Sequence, residues 1–151
     1  MEQGLARAYV LAGNRACADE LLTAERSARE AKQGLWAEAA YQVRQADKPG
    51  ELLRYRATFQ VIEGKVVRVA HVRGLIYLNF DRYWRQAFSV SLRRDDRNLL
   101  GAYAGDPKLL EGRTVRVRGW IDQRGGGPLI DLSSAGHIEI MDADSPPAQA
   151  R

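Results

Sequence analysis

The chain has 151 residues, enough for one domain of ordinary size with an appendage, and it carries a formal net charge of +4 with a sequence pI of about 9.5. That modest excess of base suits an anionic partner. Its single cysteine, Cys17, excludes an internal disulfide. No apolar run approaches the roughly 18 residues that span a bilayer, and no basic segment leads into an apolar core, so a soluble chain without an export signal, cytoplasmic as written, is expected. Taken in order, residues 2–10 read as a short strand or turn that Gly13-Asn14 breaks. Residues 15–33 predict a helix, because Ala, Leu, Glu, Arg and Lys dominate and neither Pro nor Gly intervenes. On it Cys17, Leu21, Ala24, Ala28 and Ala31 make a narrow stripe of mostly small residues, with Cys17 read as a small core residue. Glu25, Arg26, Arg29, Glu30 and Lys32 read as its solvated face. Gly34 is placed to stop the helix in a left-handed conformation, with Leu35 and Trp36 folding back onto the last turn. Residues 42–56, with Asp47, Lys48, Pro49 and Gly50, are polar and turn-rich and read as a linker.

From Thr58 the pattern is one of strands. Residues 59–72 alternate with a break at Gly64, which predicts one long strand bent at a bulge. In GLIYLNFDRYWRQAFSVSL, residues 74–92, a period of two puts Ile76, Leu78 and Phe80 on one face and Leu75, Tyr77 and Asn79 on the other. The pattern then repeats as Phe88, Val90 and Leu92 against Ser89, Ser91 and Arg93, which makes a hairpin. Its turn carries Arg82, Tyr83, Trp84 and Arg85, a cationic and aromatic mixture that a connection does not need for folding. RRDDRN at 93–98 reads as a loop, and Asp106-Pro107 as the cap and first turn of a short helix ended by Gly112. Residues 114–122 predict a fourth strand with Val115, Val117 and Ile121 inward and Arg116, Arg118 and Trp120 outward. After a flexible turn at Gly125, Gly126, Gly127 and Pro128, an interrupted last strand runs to Met141 with Ile130, Leu132, Ile138 and Ile140 inward. Residues 143–151 have the composition of a disordered tail.

Five strands with a short helix between the third and fourth is the order of an OB-fold, a small Greek-key barrel. Other five-stranded barrels share the count. The helix position and the bent first strand select the OB-fold, so the expected class is mainly β with an N-terminal helical segment. The expected organisation is an N-terminal strand and helix over 1–41, a linker over 42–56, the barrel over 57–142 and the tail.

Two resemblances bear on this reading. Gly4, Leu5, Ala6 and Tyr9, then Leu21, Leu22, Glu25, Ala28, Gly34, Leu35 and Trp36, make residues 3–37 resemble the C-terminal end of the staphylococcal nuclease (thermonuclease) family. In that family the calcium-holding acids, the catalytic glutamate and the two arginines lie upstream of the matching segment, so the resemblance transfers no catalytic residue. It implies a nuclease-like protein whose nuclease barrel is missing here. GKVVRV, YLNF, EGRTVRVRGWI and the later IEI, between Thr58 and Met141, are similar to the OB-fold domains that accompany nucleases and tRNA synthetases, with Gly64, Val66, Gly112, Val115, Val117, Gly119 and Ile138 supporting the fold rather than a ligand. Fold by itself does not assign function.

Catalytic signals are sparse. His71 and His137 stand alone, without a second His or Cys at ligand spacing, so structural or surface roles are expected and no metal or cofactor. Asp95 and Asp96 lie between Arg94 and Arg97 and read as local charge balance. The glycine turn at 125–127 lacks the lysine, hydroxyl and helix of a phosphate loop. What stands out is basic and aromatic: Tyr77, Asn79, Ser89, Ser91 and Arg93 on the outer face of the hairpin, Arg82, Tyr83, Trp84 and Arg85 in its turn, and Arg116, Arg118 and Trp120 from the fourth strand. Aromatic faces that stack on bases and arginines that follow phosphates are what single-stranded nucleic acid requires. The expectation is therefore a noncatalytic nucleic-acid-binding module. The alternative for the same surface is a protein-interaction or structural module that packs on a nuclease barrel.

Overall fold

The apolar alternation from Phe59 onward folds as predicted, into strands wound around one core. The computed structural model describes residues 2–10 and 16–141, so the predicted break at Gly13-Asn14, the first residue of the predicted helix and the predicted tail lie outside the described residues. In chain order the strands are β1 (Arg44–Gln45), β2 (Phe59–Lys65), β3 (Arg68–Val72), β4 (Leu75–Asn79), β5 (Ser89–Arg93), β6 (Thr114–Trp120), β7 (Asp122–Arg124), β8 (Gly127–Asp131) and β9 (Ile138–Ile140). The α-helices are α1 (Ala18–Glu30) and α2 (Pro49–Leu53). One sheet has the order β1-β2-β6-β9 and the other β3-β4-β5-β8-β7.

Two strands pass from one sheet to the other, and this is how the barrel closes. At the first bend the Val66 amide donates to the Arg113 carbonyl and the next amide, Val67, to the Asn79 carbonyl, at 2.9 and 2.8 Å. Consecutive residues thus pair with different sheets. The bend lies here and not at Gly64, which sits in register opposite Val115 inside β2. Gly64 is needed for close packing: a Cβ there would lie 2.4 Å from that of Ala46 and 2.9 Å from the Phe80 ring. β6 passes to β7 in the same way at Ile121, whose amide donates to Thr58 at 3.0 Å. β5 and β8 pair in parallel and join the later strands to the central hairpin, which completes the barrel.

The residues expected inward are inward: Ile76, Leu78, Phe88, Val90, Val115 and Ile130 all belong to one core cluster. The predicted short helix is present as a 3-10 turn, Pro107–Leu110, with the Asp106 carboxylate accepting from the Lys108 amide at 3.1 Å. The stretch read as a loop at 93–98 instead starts a longer 3-10 segment, Arg94–Tyr103, because Leu99, Leu100 and Tyr103 are drawn into the core.

Three further expectations are corrected. Residues 42–56 are built into the barrel and are no linker: Arg44 and Gln45 pair with Ile62 and Glu63, and Ala46 and Leu52 are core residues. Charged Arg44 is buried because its guanidinium lies over the Tyr55 ring, 3.4 Å from the centroid, and bonds to Gln60 and to backbone carbonyls. Cys17 is exposed. The buried face of α1 is Leu22, Glu25 and Ala28 rather than the predicted stripe, so Glu25 leaves the predicted solvated face. Trp36 folds back as predicted, burying itself against Ala28 and Val61. Gly34, with φ of +57°, allows the approach of the N-terminal segment: the Leu35 amide donates to the Gly4 carbonyl at 2.8 Å, and a Cβ on Gly34 would sit 2.5 Å from that oxygen.

Candidate nucleic-acid interface

The outer face of the second sheet is organised in rows. Registered pairs place Arg68 beside Asn79, Asn79 beside Ser89 and Ser89 beside Leu129, so one row crosses β3, β4, β5 and β8. A second row runs Ala70, Tyr77, Ser91 and Asp131. Above these rows opens a groove of about 450 Å³, lined on its floor by Arg68, Ala70, Val72, Tyr77, Asn79, Ser89 and Leu129. Its walls are Trp84 and Arg85 from the hairpin turn, Arg124 at the end of β7 and Gly125 just after it.

The hairpin turn is shaped locally. Asp81 Oδ1 accepts from the Tyr83 amide at 2.8 Å, an Asx turn that lifts the following side chains outward. Tyr83 is 85% and Trp84 55% exposed, large apolar surfaces left in water, while Arg85 lies 5.6 Å from the centre of the Trp84 ring. Among the described residues neither Arg68 nor Arg85 has a carboxylate partner, whereas Arg124 is held by Asp131 at 2.5 Å and lies 3.6 Å from Asp122. The floor therefore offers cation and aromatic surface with little fixed counter-charge. No three His, Cys, Asp or Glu side chains come together as a metal site among the described residues. No described helix is long and apolar enough to cross a membrane.

The sequence-predicted residues divide into groups. Tyr77, Asn79, Trp84 and Arg85 line the groove together with Ser89. Arg82 and Tyr83 are exposed on the same turn, and Arg93 is exposed at the end of β5. Ser91 is fully buried and donates its hydroxyl to Asp131, so it offers nothing outward. Arg116 lies half-buried in an ion pair with Glu63 at 2.8 Å. Trp120 is exposed but stands in another cluster, edge-on to Phe59 at 6.2 Å, and Tyr9 also meets Phe59 edge-on at 5.2 Å.

Arg118 is the correction of substance. It points away from the barrel interior, as its parity requires, but α1 and the N-terminal segment cover it, leaving it 1% exposed. Its Nη1 donates to both Glu25 oxygens at 2.8 and 2.9 Å and its Nη2 to Glu139 at 3.1 Å. Arg29 also reaches Glu25 at 2.9 Å, Arg26 reaches Glu139 at 3.0 Å, and the Ala8 amide donates to Glu25. Arg118 is thus the hub that ties the N-terminal helix to the barrel, and it is not a surface cation. Burial acts against the charged form of Glu139, but Arg118, with Arg26, Arg29 and Arg116, outweighs it and holds the carboxyl below its ordinary range. Burial, aided by Arg118, pushes the nearby His137 imidazole below its ordinary value against the opposing pull of the Val10 backbone.

Sequence reasoning missed Arg68, Arg124 and Leu129. The bend at Val66 shifts the period of two by one residue, so a phase continued from Ile62 would turn Arg68 inward. A reading that restarted the period at Val69 would have found it.

No protein-family model and no curated protein matches the chain. Among solved structures it is similar to the S. pombe Stn1–Ten1 complex, at 17% identity and a TM-score of 0.41 over 55% of this chain and 57% of that one. It is also similar to OBody AM1L10 bound to hen egg-white lysozyme, at 21% identity and a TM-score of 0.42 over 58% of this chain and 82% of that one. The chain therefore spans a little over half the length of the first of these, and its assignment as an OB-fold rests on its own strand order and register.

Proposed function

We propose that this chain is a noncatalytic module that binds single-stranded nucleic acid in the groove over β3, β4, β5 and β8. One observation carries the reading: an exposed Trp84 on the wall and a half-buried Tyr77 on the floor share a groove with Arg68 and Arg85, which have no carboxylate partner among the described residues. Bases stack on such rings at about 1–3 kcal/mol each, and free guanidiniums follow the backbone in place of counterions. The resemblance of residues 3–37 to the end of a nuclease domain makes the finer proposal a binding module of a thermonuclease-like protein. Binding should be micromolar or weaker and strongly salt-dependent.

Anisotropy titration of a labelled 12-nucleotide single strand at low salt tests this. Wild-type chain should bind, and Trp84→Ala should weaken binding by about 1–3 kcal/mol with an unchanged melting temperature. Absence of binding by folded wild-type chain would overturn the proposal. The protein-interaction alternative would then lead, and it has one observation of its own, the exposed Tyr9 and Trp120 that both meet Phe59 edge-on.

A further inference from the structure

Among the described residues Asn79 is the one side-chain amide in the lining of the groove. It is 6% exposed, it lines the groove, and its backbone carbonyl is already taken by the Val67 amide. Its side-chain amide has no hydrogen-bond partner among the described residues. Its polar atoms are not sealed from the groove, so its donor and its acceptor are left to solvent or to a ligand that offers both an acceptor and a donor. What surrounds it limits what that can be. Its registered neighbour across β3 and β4 is Arg68, a guanidinium without a carboxylate partner, and on its other side is Ser89. Trp84 and Tyr77 line the same groove and offer ring faces to a planar ligand.

We propose that Asn79 and Arg68 together read the N7-bearing edge of a purine base. The inference rests on the single-strand reading above and adds a base preference to it. An Asn amide matches the N7 acceptor and N6 donor of adenine, and an Arg guanidinium matches the N7 and O6 acceptors of guanine. The atom common to both is N7, which pyrimidines lack. An aromatic wall favours the same class, since a purine presents the larger face for stacking. Asn79 is therefore a specificity-determining contact, separate from the arginines that follow the phosphates.

The experiment compares three labelled strands: oligothymidylate, the same strand with four central adenines, and that strand with 7-deazaadenine in their place. 7-Deazaadenine keeps the ring system and the amino group but has no N7 acceptor. The adenine strand should bind about fivefold tighter or better than oligothymidylate, within the discrimination of one good bidentate contact. The 7-deaza strand should fall back toward the thymidine level. Asn79→Leu should bring the adenine-to-thymidine ratio close to one. Asn79→Asp, nearly isosteric and unable to donate to N7, should do the same, which separates loss of reading from loss of folding. Binding with no adenine preference, or a preference that 7-deazaadenine retains, overturns the N7 inference and leaves the single-strand reading standing. No binding of any strand overturns both.

Discussion

Removing the Glu25 carboxylate should undo the union of helix and barrel. Glu25 is 0% exposed and accepts from Arg118 twice, from Arg29 and from the Ala8 amide. Glu25→Ala strands the buried Arg118 with Glu139 as its one remaining carboxylate and orphans the amide. Breaking a buried pair from one side costs about 3–5 kcal/mol, because the surviving charge stays out of water. For a chain of this size that corresponds to a fall in melting temperature of about 6–20 °C. Removing both charges is a different matter: Glu25→Leu with Arg118→Met replaces the pair by apolar volume, which is commonly neutral or stabilising. The double variant should therefore melt well above Glu25→Ala, and a double-mutant cycle should show coupling. Circular dichroism melts with urea titrations measure all of this. A Glu25→Ala loss under about 1 kcal/mol, the scale of an exposed ion pair, would refute the reasoning.

Other outcomes follow from the same geometry. The Glu139 carboxyl lies below its ordinary range in the fold, so its contribution is complete above the unfolded value, about 4.3, and is lost as pH falls. His137 is also depressed, so the unfolded chain takes up its proton first and stability should already decline as pH falls below about 6.5. Urea midpoints from pH 8 to 4 should show two stages, and His137→Leu should remove the upper one; a flat profile between pH 7 and 5.5 contradicts this. Gly64→Ala drives a methyl against Ala46 and Phe80 and should cost about 1–3 kcal/mol in a thermal melt, whereas a neutral result would mean that the strand shifts freely. Arg85→Ala should reduce the slope of log affinity against log salt by about 0.7, while Arg116→Ala, whose guanidinium is held by Glu63, should leave that slope unchanged.

Much of the barrel was legible because period-two alternation reports directly which side chains meet in the core, and Ile76, Leu78, Phe88, Val90, Val115 and Val117 obeyed it. The half of the groove on β4 and the hairpin turn followed from the same parity, with Tyr77 and Asn79 outward and Trp84 in a turn that did not need it. The other half was hidden by geometry: Arg68 lies just past a bend that shifts the period, and Leu129 reaches the row only through the parallel pairing of β5 and β8. Arg118 shows the limit of parity. Alternation says which side of a strand a residue leaves from and nothing about what covers that side. Glu25 on the helix and Arg118 on the strand each read as solvated, and each is buried because the other is there. An alanine stripe would have docked the helix weakly through little apolar area. Charge complementarity selected a different face.

The central claim, that single strands occupy the groove of the second sheet, is tested most directly by mapping amide chemical shifts in the ¹⁵N-labelled chain during titration with an unlabelled adenine-containing single strand. The predicted result is saturable shifts confined to Arg68, Tyr77, Asn79, Ser89, Gly125 and the Trp84 indole, with α1 and the Tyr9, Phe59 and Trp120 cluster unmoved. Shifts that gather on Tyr9, Phe59 and Trp120 while the groove stays silent would contradict the account.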